Sequence, residues 1–312
     1  MSERHLVVGA GPVGRHVAAL LTARGDRVTI GSRSGRGPAV PGAHYIALNA
    51  TDADALTGAA EGAGAIFHTA NPGPYPVWEK QWPLMSSALL TATERTGAVY
   101  AMAGNLYPLG PVNVPMAEDL PDKATDHKGR LRARVWADAL AAHRAGKIRA
   151  FEVRGSDYIG GDSIAGHIGQ ALPKALNGKS VWMVGRVDTP HSFTDVHDVA
   201  RLLVAVYDAP DTYGRTWHVP SNPAKTQKEM IDELLDLAGR PRVSVHGLSP
   251  TVLRTLGVFS PLLKEVAQLS YQMMQPYILD ASAATQRFSM KPTARTDALR
   301  RTLLAAGWSP TT

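Results

Sequence analysis

The sequence predicts an α/β protein, a doubly wound parallel sheet with a smaller, mostly helical substrate-covering region. Three observations predict it. Apolar runs of strand length alternate with segments of helical periodicity over the first half of the chain. A glycine-rich turn stands between the first strand and the first helix, where such a turn has a mechanical use. After Gly160 the alternation lapses and helical segments dominate.

The elements follow in order. Leu6–Val8 is an apolar run that stops at Gly9, as suits a strand buried on both faces. Val13, Val17, Leu20 and Leu21 then recur on one helical face, with Pro12 at the first helical position and Gly25 closing the far end. Asp26–Ile30 reads as the second strand, Tyr45–Leu48 as the third, and Asp52–Ala60 as the next helix. Ala65–Thr69 is a strand, Asn71–Pro76 a proline-rich loop, and Trp82–Thr96 a long helix. Ala98–Ala103, a helix over Lys128–Ala145 and a strand over Ile148–Arg154 complete the alternation. Helices are expected near Ser163–Asn177, Asp195–Tyr207, Lys225–Ala238 and Leu253–Met274. The expected division is a core of 1–160 and 190–224 and a substrate-binding region of 161–189 and 225–312.

Composition sets the bounds. The 312 residues are 44% hydrophobic and 19% charged, enough to fill a core and unlike a disordered chain. There is no cysteine, which excludes disulfides and thiolate chemistry. The formal net charge of +6 is interspersed rather than run together, so it reads as a solvated surface with a bias toward anionic ligands and not as a nucleic-acid site. No apolar stretch approaches the roughly 20 residues that span a bilayer, and the start of the chain lacks the form of a signal peptide. A cytoplasmic protein with no membrane partner is expected. The 11 histidines include no His-Glu-x-x-His, and no metal site is argued.

The turn Gly9-Ala10-Gly11-Pro12-Val13-Gly14 lies between a strand and a helix in a βαβ unit. Gly9 permits the tight turn, Gly11 lets backbone approach a pyrophosphate, and Gly14 lets the helix lie close to the strand while its N-terminus faces phosphate charge. This is the Rossmann dinucleotide fingerprint. At the end of the second strand an NAD site carries Asp or Glu for the ribose 2′-hydroxyl. Here Ser32-Arg33-Ser34-Gly35-Arg36 has no carboxylate, and a hydroxyl with two guanidinium groups, Ser32, Arg33 and Arg36, suits a 2′-phosphate. NADP(H) is therefore the expected cofactor, against the plainer reading of loop arginines.

Several stretches, taken in order, make the chain similar to the extended short-chain dehydrogenase/reductases of the epimerase/dehydratase branch. They are the glycine turn, Asn49-Ala50-Thr51-Asp52, His68-Thr69-Ala70-Asn71, Asn105-Leu106-Tyr107-Pro108-Leu109-Gly110, Arg154-Gly155-Ser156-Asp157-Tyr158-Ile159-Gly160 and the stretch from His191 to Ala200. The resemblance implies that Pro12 and Val13 share the glycine turn's cofactor contacts, that Asn49 and Ala50 contact adenine, and that Ala70 and Asn71 lie near the nicotinamide ribose. It also implies that Ser156 flanks the nicotinamide and that Tyr158 touches substrate.

The catalytic motif departs from the family pattern. The usual Ser or Thr is replaced by Asn105, and no Tyr-x-x-x-Lys opens the following helix. The register places Lys128 at the Tyr position and Arg132 at the Lys position. Asn105 can still donate to a carbonyl oxygen, and Arg132 can bind ribose hydroxyls but cannot move a proton. Lys128, His127 and Tyr107 are candidate acids, and the isoflavone-reductase-like relatives also use a lysine. A plainer reading stands beside each: Lys128, Arg130, Arg132 and Arg134 as a solvated basic face, His127 as a helix cap, and Asn105 as a turn residue.

The function expected first is an NADPH-dependent oxidoreductase passing hydride to a carbonyl, imine or activated C=C of a small organic substrate with an apolar part. The alternatives are a non-catalytic NADP(H)-binding sensor or regulator and a cofactor-retaining isomerase or epimerase. The resemblance also implies a possible homodimer.

Overall fold

The computed structural model describes residues 2–161 and 166–309. In chain order the strands and helices are β1 (Arg4–Val8), α1 (Pro12–Ala23), β2 (Arg27–Ser32), β3 (Ala43–Ala47), α2 (Ala53–Ala59), β4 (Ala65–His68), α3 (Trp78–Thr96), β5 (Val99–Asn105), α4 (His127–Arg144) and β6 (Arg149–Gly155). They continue with β7 (Asp157–Ile159), α5 (His167–Leu176), β8 (Val181–Val184), β9 (Phe193–Asp195), α6 (Val196–Tyr207), β10 (Thr216–His218) and α7 (Gln227–Leu237). The last are β11 (Val245–Leu248), α8 (Pro250–Gly257), α9 (Pro261–Leu269), α10 (Ser282–Phe288) and α11 (Arg295–Ala305).

The chain divides into two compact units, the first made of Met1–Pro108, Asp122–Arg154 and Val199–Val219. It holds a seven-stranded sheet in the order β10-β6-β5-β4-β1-β2-β3, with parallel neighbours and helices between them. The order reverses at β1, so the ends of β1 and β4 lie side by side at the switch point where open α/β sheets bind ligands. β1 and β4 are buried almost throughout, which is why they read as continuous apolar runs. One core packs Leu6, Ile66, Leu89, Tyr100, Met102, Val135 and Trp136 between sheet and helices.

The second unit comprises Leu109–Pro121, Gly155–Asp198 and Pro220–Thr312. Two parallel two-stranded sheets, β11-β8 and β7-β9, sit among its helices. Its core gathers Leu172, Val181, Phe193, Ile231, Leu234, Leu299 and Leu303. α7 begins with a reciprocal capping box between Thr226 and Glu229.

Three sequence expectations change. The helix expected over Leu253–Met274 is two helices and a 3-10 turn at Ser270–Met273, because Gly257 ends α8 and Ser260 caps α9 with Pro261 at its first position. α3 starts at Trp78, four residues before the expected Trp82, and carries Pro83 inside its first turns. α10 and α11 were not expected, although α11 buries Ala298, Leu299, Thr302 and Leu303 as one stripe. Of the helix expected from Ser163, residues 163–165 lie outside the described residues.

Candidate functional site

The glycine turn is built as its sequence requires. Gly9 has φ +119°, and a Cβ there would stand 2.6 Å from the Ala70 amide nitrogen. A Cβ on Gly14 would lie 2.0 Å from the Gly9 carbonyl oxygen. The Thr69 hydroxyl donates to the carbonyls of Val8 and Gly9, joining the β4 end to the β1 end. Gly11, in contrast, has open space where its Cβ would point, and it caps α1 with no side-chain hydrogen bond to the helix amides. The first turn of a twelve-residue helix thus presents its amides and positive dipole end without a covering side chain, which fits a dinucleotide diphosphate.

Beside it, β2 ends at Ser32, whose hydroxyl donates to the Arg36 carbonyl and accepts from the Arg36 amide. The bonds close a small loop, with Gly35 at φ +68°. Arg33 and Arg36 are exposed, and among the described residues neither guanidinium is held by an ion pair. Asn49 is also exposed, its carbonyl oxygen accepting from the amide and hydroxyl of Thr51. Ala50 and Ala70 are half-buried, and exposed Asn71 accepts from the Gly73 amide through its side chain.

A second group forms where β5 ends and α4 begins. Asn105, the last residue of β5, accepts from the Tyr107 amide through Oδ1, which leaves the Nδ2 hydrogens as donors for another oxygen. The Tyr107 hydroxyl pairs with that of Tyr75 at 2.8 Å, and its ring stacks on Trp78. Asp126 caps α4 by accepting from the Gly129 amide. A Cβ on Gly129 would meet the Tyr107 carbonyl at 2.6 Å, so glycine lets this helix end approach.

Lys128 is fully buried, its ammonium 5.2 Å from the centre of the Tyr75 ring and 3.3 Å from His127 Nε2. Burial lowers its pKa to about 8, against the opposing pull of Asp126 and Glu79. His127 is half-buried, with Nε2 4.0 Å from the Glu79 carboxylate. Arg130 and Arg134 are exposed, whereas Lys128 and Arg132 are buried, so a solvated basic face describes only the first two.

Arg132 points inward. Its guanidinium lies 4.0 Å over the Trp82 ring and 3.8 Å from Glu152, and it donates to the Ala103 carbonyl at 3.4 Å. Glu152, also buried, bonds Arg154 at 2.6 Å, and Arg154 grips Asp122 with two bonds of 2.6 and 2.9 Å. Burial pushes the Glu152 carboxyl up despite the two arginines, while the Arg154 pKa rises because Glu152 and Asp122 outweigh its own burial. A Cβ on Gly104 would stand 2.2 Å from Glu152, so glycine in β5 makes the room.

The first unit thus brings together Asn105, Tyr107, His127 and Lys128, and separately the glycine turn, Ser32, Arg33 and Arg36. Ser156 and Tyr158 belong to the second unit. There the Ser156 amide donates to the Thr194 hydroxyl, and His191 Nε2 lies 3.1 Å from the Asp157 carboxylate. Sequence reasoning missed Tyr75, which covers Lys128, as well as Glu79 and the Asp157–His191 pair. Only the aromatic spacing of Tyr75 and Trp78 hinted at the first. Among the described residues, no cluster of metal-ligating side chains is present and no helix is long and apolar enough to cross a membrane.

Comparison with known proteins agrees with the fold. The UDP-glucose 4-epimerase of Thermotoga maritima superposes with a TM-score of 0.79 at 15% identity, over 97% of this chain and 98% of that one. The dTDP-glucose 4,6-dehydratase of Streptomyces venezuelae gives 0.78 at 19% identity over 97% and 96%. A UDP-N-acetylglucosamine 4-epimerase of Methanobrevibacter ruminantium gives 0.78 at 17% over 99% and 98%. The sequence model of the NAD dependent epimerase/dehydratase family matches residues 5–219, the stretch that carries the glycine turn, the switch point and the Asn105–Lys128 group. The chain therefore belongs to the NAD dependent epimerase/dehydratase family, enzymes of the extended short-chain dehydrogenase/reductase type.

Proposed function

We propose that the protein is an NADP-linked reductase of a carbonyl, imine or polarised C=C group on a small organic molecule, with Lys128 as its proton donor. The observation that carries the reading is Lys128 itself, a desolvated ammonium beneath Tyr75 with a pKa of about 8, so that at neutral pH it stands mainly in the acid form. When bound, the nicotinamide supplies the hydride. Asn105 Nδ2 orients the acceptor atom, Lys128 protonates it, and His127 passes the replacement proton to Nζ. Tyr107, tied to Tyr75, shapes the wall of the site. Gly9, Gly11 and Gly14, with Pro12 and Val13, receive the diphosphate at the α1 N-terminus, and Ser32, Arg33 and Arg36 take the 2′-phosphate. Asn49 and Ala50 border the adenine, and Ala70 and Asn71 the nicotinamide ribose. Arg132, turned toward Trp82 and Glu152, acts as a positioning residue beneath Lys128.

A cofactor-retaining epimerase or dehydratase is the second reading, favoured by the names of the structural neighbours. That reaction opens by taking hydride from an alcohol carbon, which needs a base, and the ammonium form of Lys128 is the wrong state for it at neutral pH. The two part on stoichiometry. A reductase consumes one NADPH for each product, whereas a retaining enzyme turns over without net consumption.

The cofactor assignment has its own test, fluorescence titration of reduced dinucleotides. Arg33→Ala and Arg36→Ala are each expected to weaken NADPH binding by roughly ten- to a hundred-fold, the equivalent of one charge-assisted hydrogen bond, and to leave NADH within about threefold. Wild-type protein that binds NADH as tightly as NADPH would overturn the 2′-phosphate reading.

A further inference from the structure

We propose that Tyr75 is a gate over Lys128, closed in this structure, that lifts with the turn at 74–77 to admit an acceptor. Its place in catalysis rests on the reading of Lys128 as proton donor; the gate itself does not. A donor must come within about 2.6–3.2 Å of the atom it protonates. Lys128 is 0% exposed, and the Tyr75 ring lies over its ammonium with the centroid 5.2 Å from Nζ. No acceptor reaches Nζ from outside in that arrangement, so a covering group must move.

The parts around the ammonium differ in how firmly they are held. Lys128 itself sits in the first turn of α4, where the Asp126 cap and the close approach of Gly129 to the Tyr107 carbonyl fix the helix end. The segment above it is looser. Among residues 73–77, Gly73, Pro74, Pro76 and Val77 are exposed and Tyr75 alone is half-buried. Gly73, at φ +117° with open space where a Cβ would point, is pinned through its amide to the Asn71 side chain and through its carbonyl to the Trp78 indole, so it serves as the pivot. Pro74 and Pro76 fix their own φ and offer no amide, so the turn moves as a stiff piece around its internal bond from the Val77 amide to the Pro74 carbonyl. Tyr75 holds that piece down, with its ring on the ammonium, its edge against Trp78 at 4.9 Å between centroids, and its hydroxyl 2.8 Å from that of Tyr107. Lifting it breaks side-chain contacts and no strand or α-helix, the kind of local opening that costs least.

The test is a pulse of N-hydroxysuccinimide acetate on the full chain, with acetylation of each lysine read by peptide mass spectrometry. It needs no turnover, so the gate can fail while Lys128 keeps its part in reduction, and the reverse. Lys128 should be acetylated at least about tenfold more slowly than exposed Lys80, because its amine is reached only during openings. That rate should stay nearly flat in urea below the unfolding transition, as befits an opening that exposes little surface. Tyr75→Phe keeps a ring over the ammonium and removes the hydroxyl that pairs with Tyr107, so it should speed acetylation of Lys128 about fivefold, the worth of one neutral hydrogen bond. Tyr107→Phe breaks the same pair from the other side and should do the same, with Lys80 unchanged in both. Wild-type Lys128 that reacts as fast as Lys80, a wild-type rate in either variant, or a rate that climbs with urea in step with global unfolding overturns the gate.

Discussion

Lys128→Met is expected to slow hydride transfer from NADPH to a carbonyl acceptor by about a hundred- to ten-thousand-fold, the usual worth of a positioned proton donor, while leaving NADPH affinity within about threefold. Methionine keeps the length of the buried stem and removes only the charge, so the side chain still packs against Tyr75. The pH profile separates a donor from a merely structural lysine. If Lys128 is the proton donor we propose, reduction needs the ammonium and should fall as pH rises through about 8, whereas the reverse oxidation should rise over the same range. Lys128→Met should be flat there in both directions. The linkage sign gives a second readout. Burial lowers the folded-state pKa to about 8 from the ordinary 10.5, so between those values the unfolded chain holds the extra proton. Wild-type stability should therefore gain on that of Lys128→Met as pH is raised from about 8 to 10.5, the cost of the buried charge being fully present below that window. A variant with wild-type rates, or an unchanged profile, would remove Lys128 from the chemistry.

What could be read from the sequence divides along the distance over which each signal acts. The β1–turn–α1 unit is local: strand, glycines, Pro12 and amphipathic helix are contiguous, and each demands the same geometry. Buried strands announce themselves as apolar runs, so β4 and β5 were legible as well. The surroundings of Lys128 were not. Four cations at alternate positions of α4 look alike in sequence, and propensity sends all of them to solvent. Only the packing of α4 against the Tyr107 backbone and the Trp82 ring puts Lys128 and Arg132 on the inner face. Tyr75 belongs to a proline-rich loop distant in sequence from α4, and nothing local says that its ring will cover that ammonium. The break between α8 and α9 is a different case, since Gly257 followed by Ser260-Pro261 is a local stop-and-start signal hidden beneath continuous apolar periodicity.

Glu152→Leu should destabilise the protein by about 3–5 kcal/mol, the cost of removing one partner from a buried charge group. Glu152 is 0% exposed at the centre of β6 and stands between Arg154 and Arg132, which are themselves 3% and 2% exposed. Without its carboxylate only Asp122 remains to balance Arg154, and Arg132 keeps the Ala103 carbonyl and the Trp82 face but loses its anion. Leucine fills most of the volume, so the loss reports charge rather than a cavity. Glu152→Gln keeps a hydrogen-bond acceptor for Arg154 and should fall between leucine and wild type. Because Arg132 follows Lys128 by one helical turn, the same substitution should also lower turnover more than it weakens NADPH binding, by releasing the guanidinium under the proposed proton donor. Urea denaturation measures the first effect, and steady-state rates at saturating NADPH measure the second. Wild-type stability in Glu152→Leu would mean that the two arginines find other anions or water, and the buried cluster would then have no part in holding Lys128.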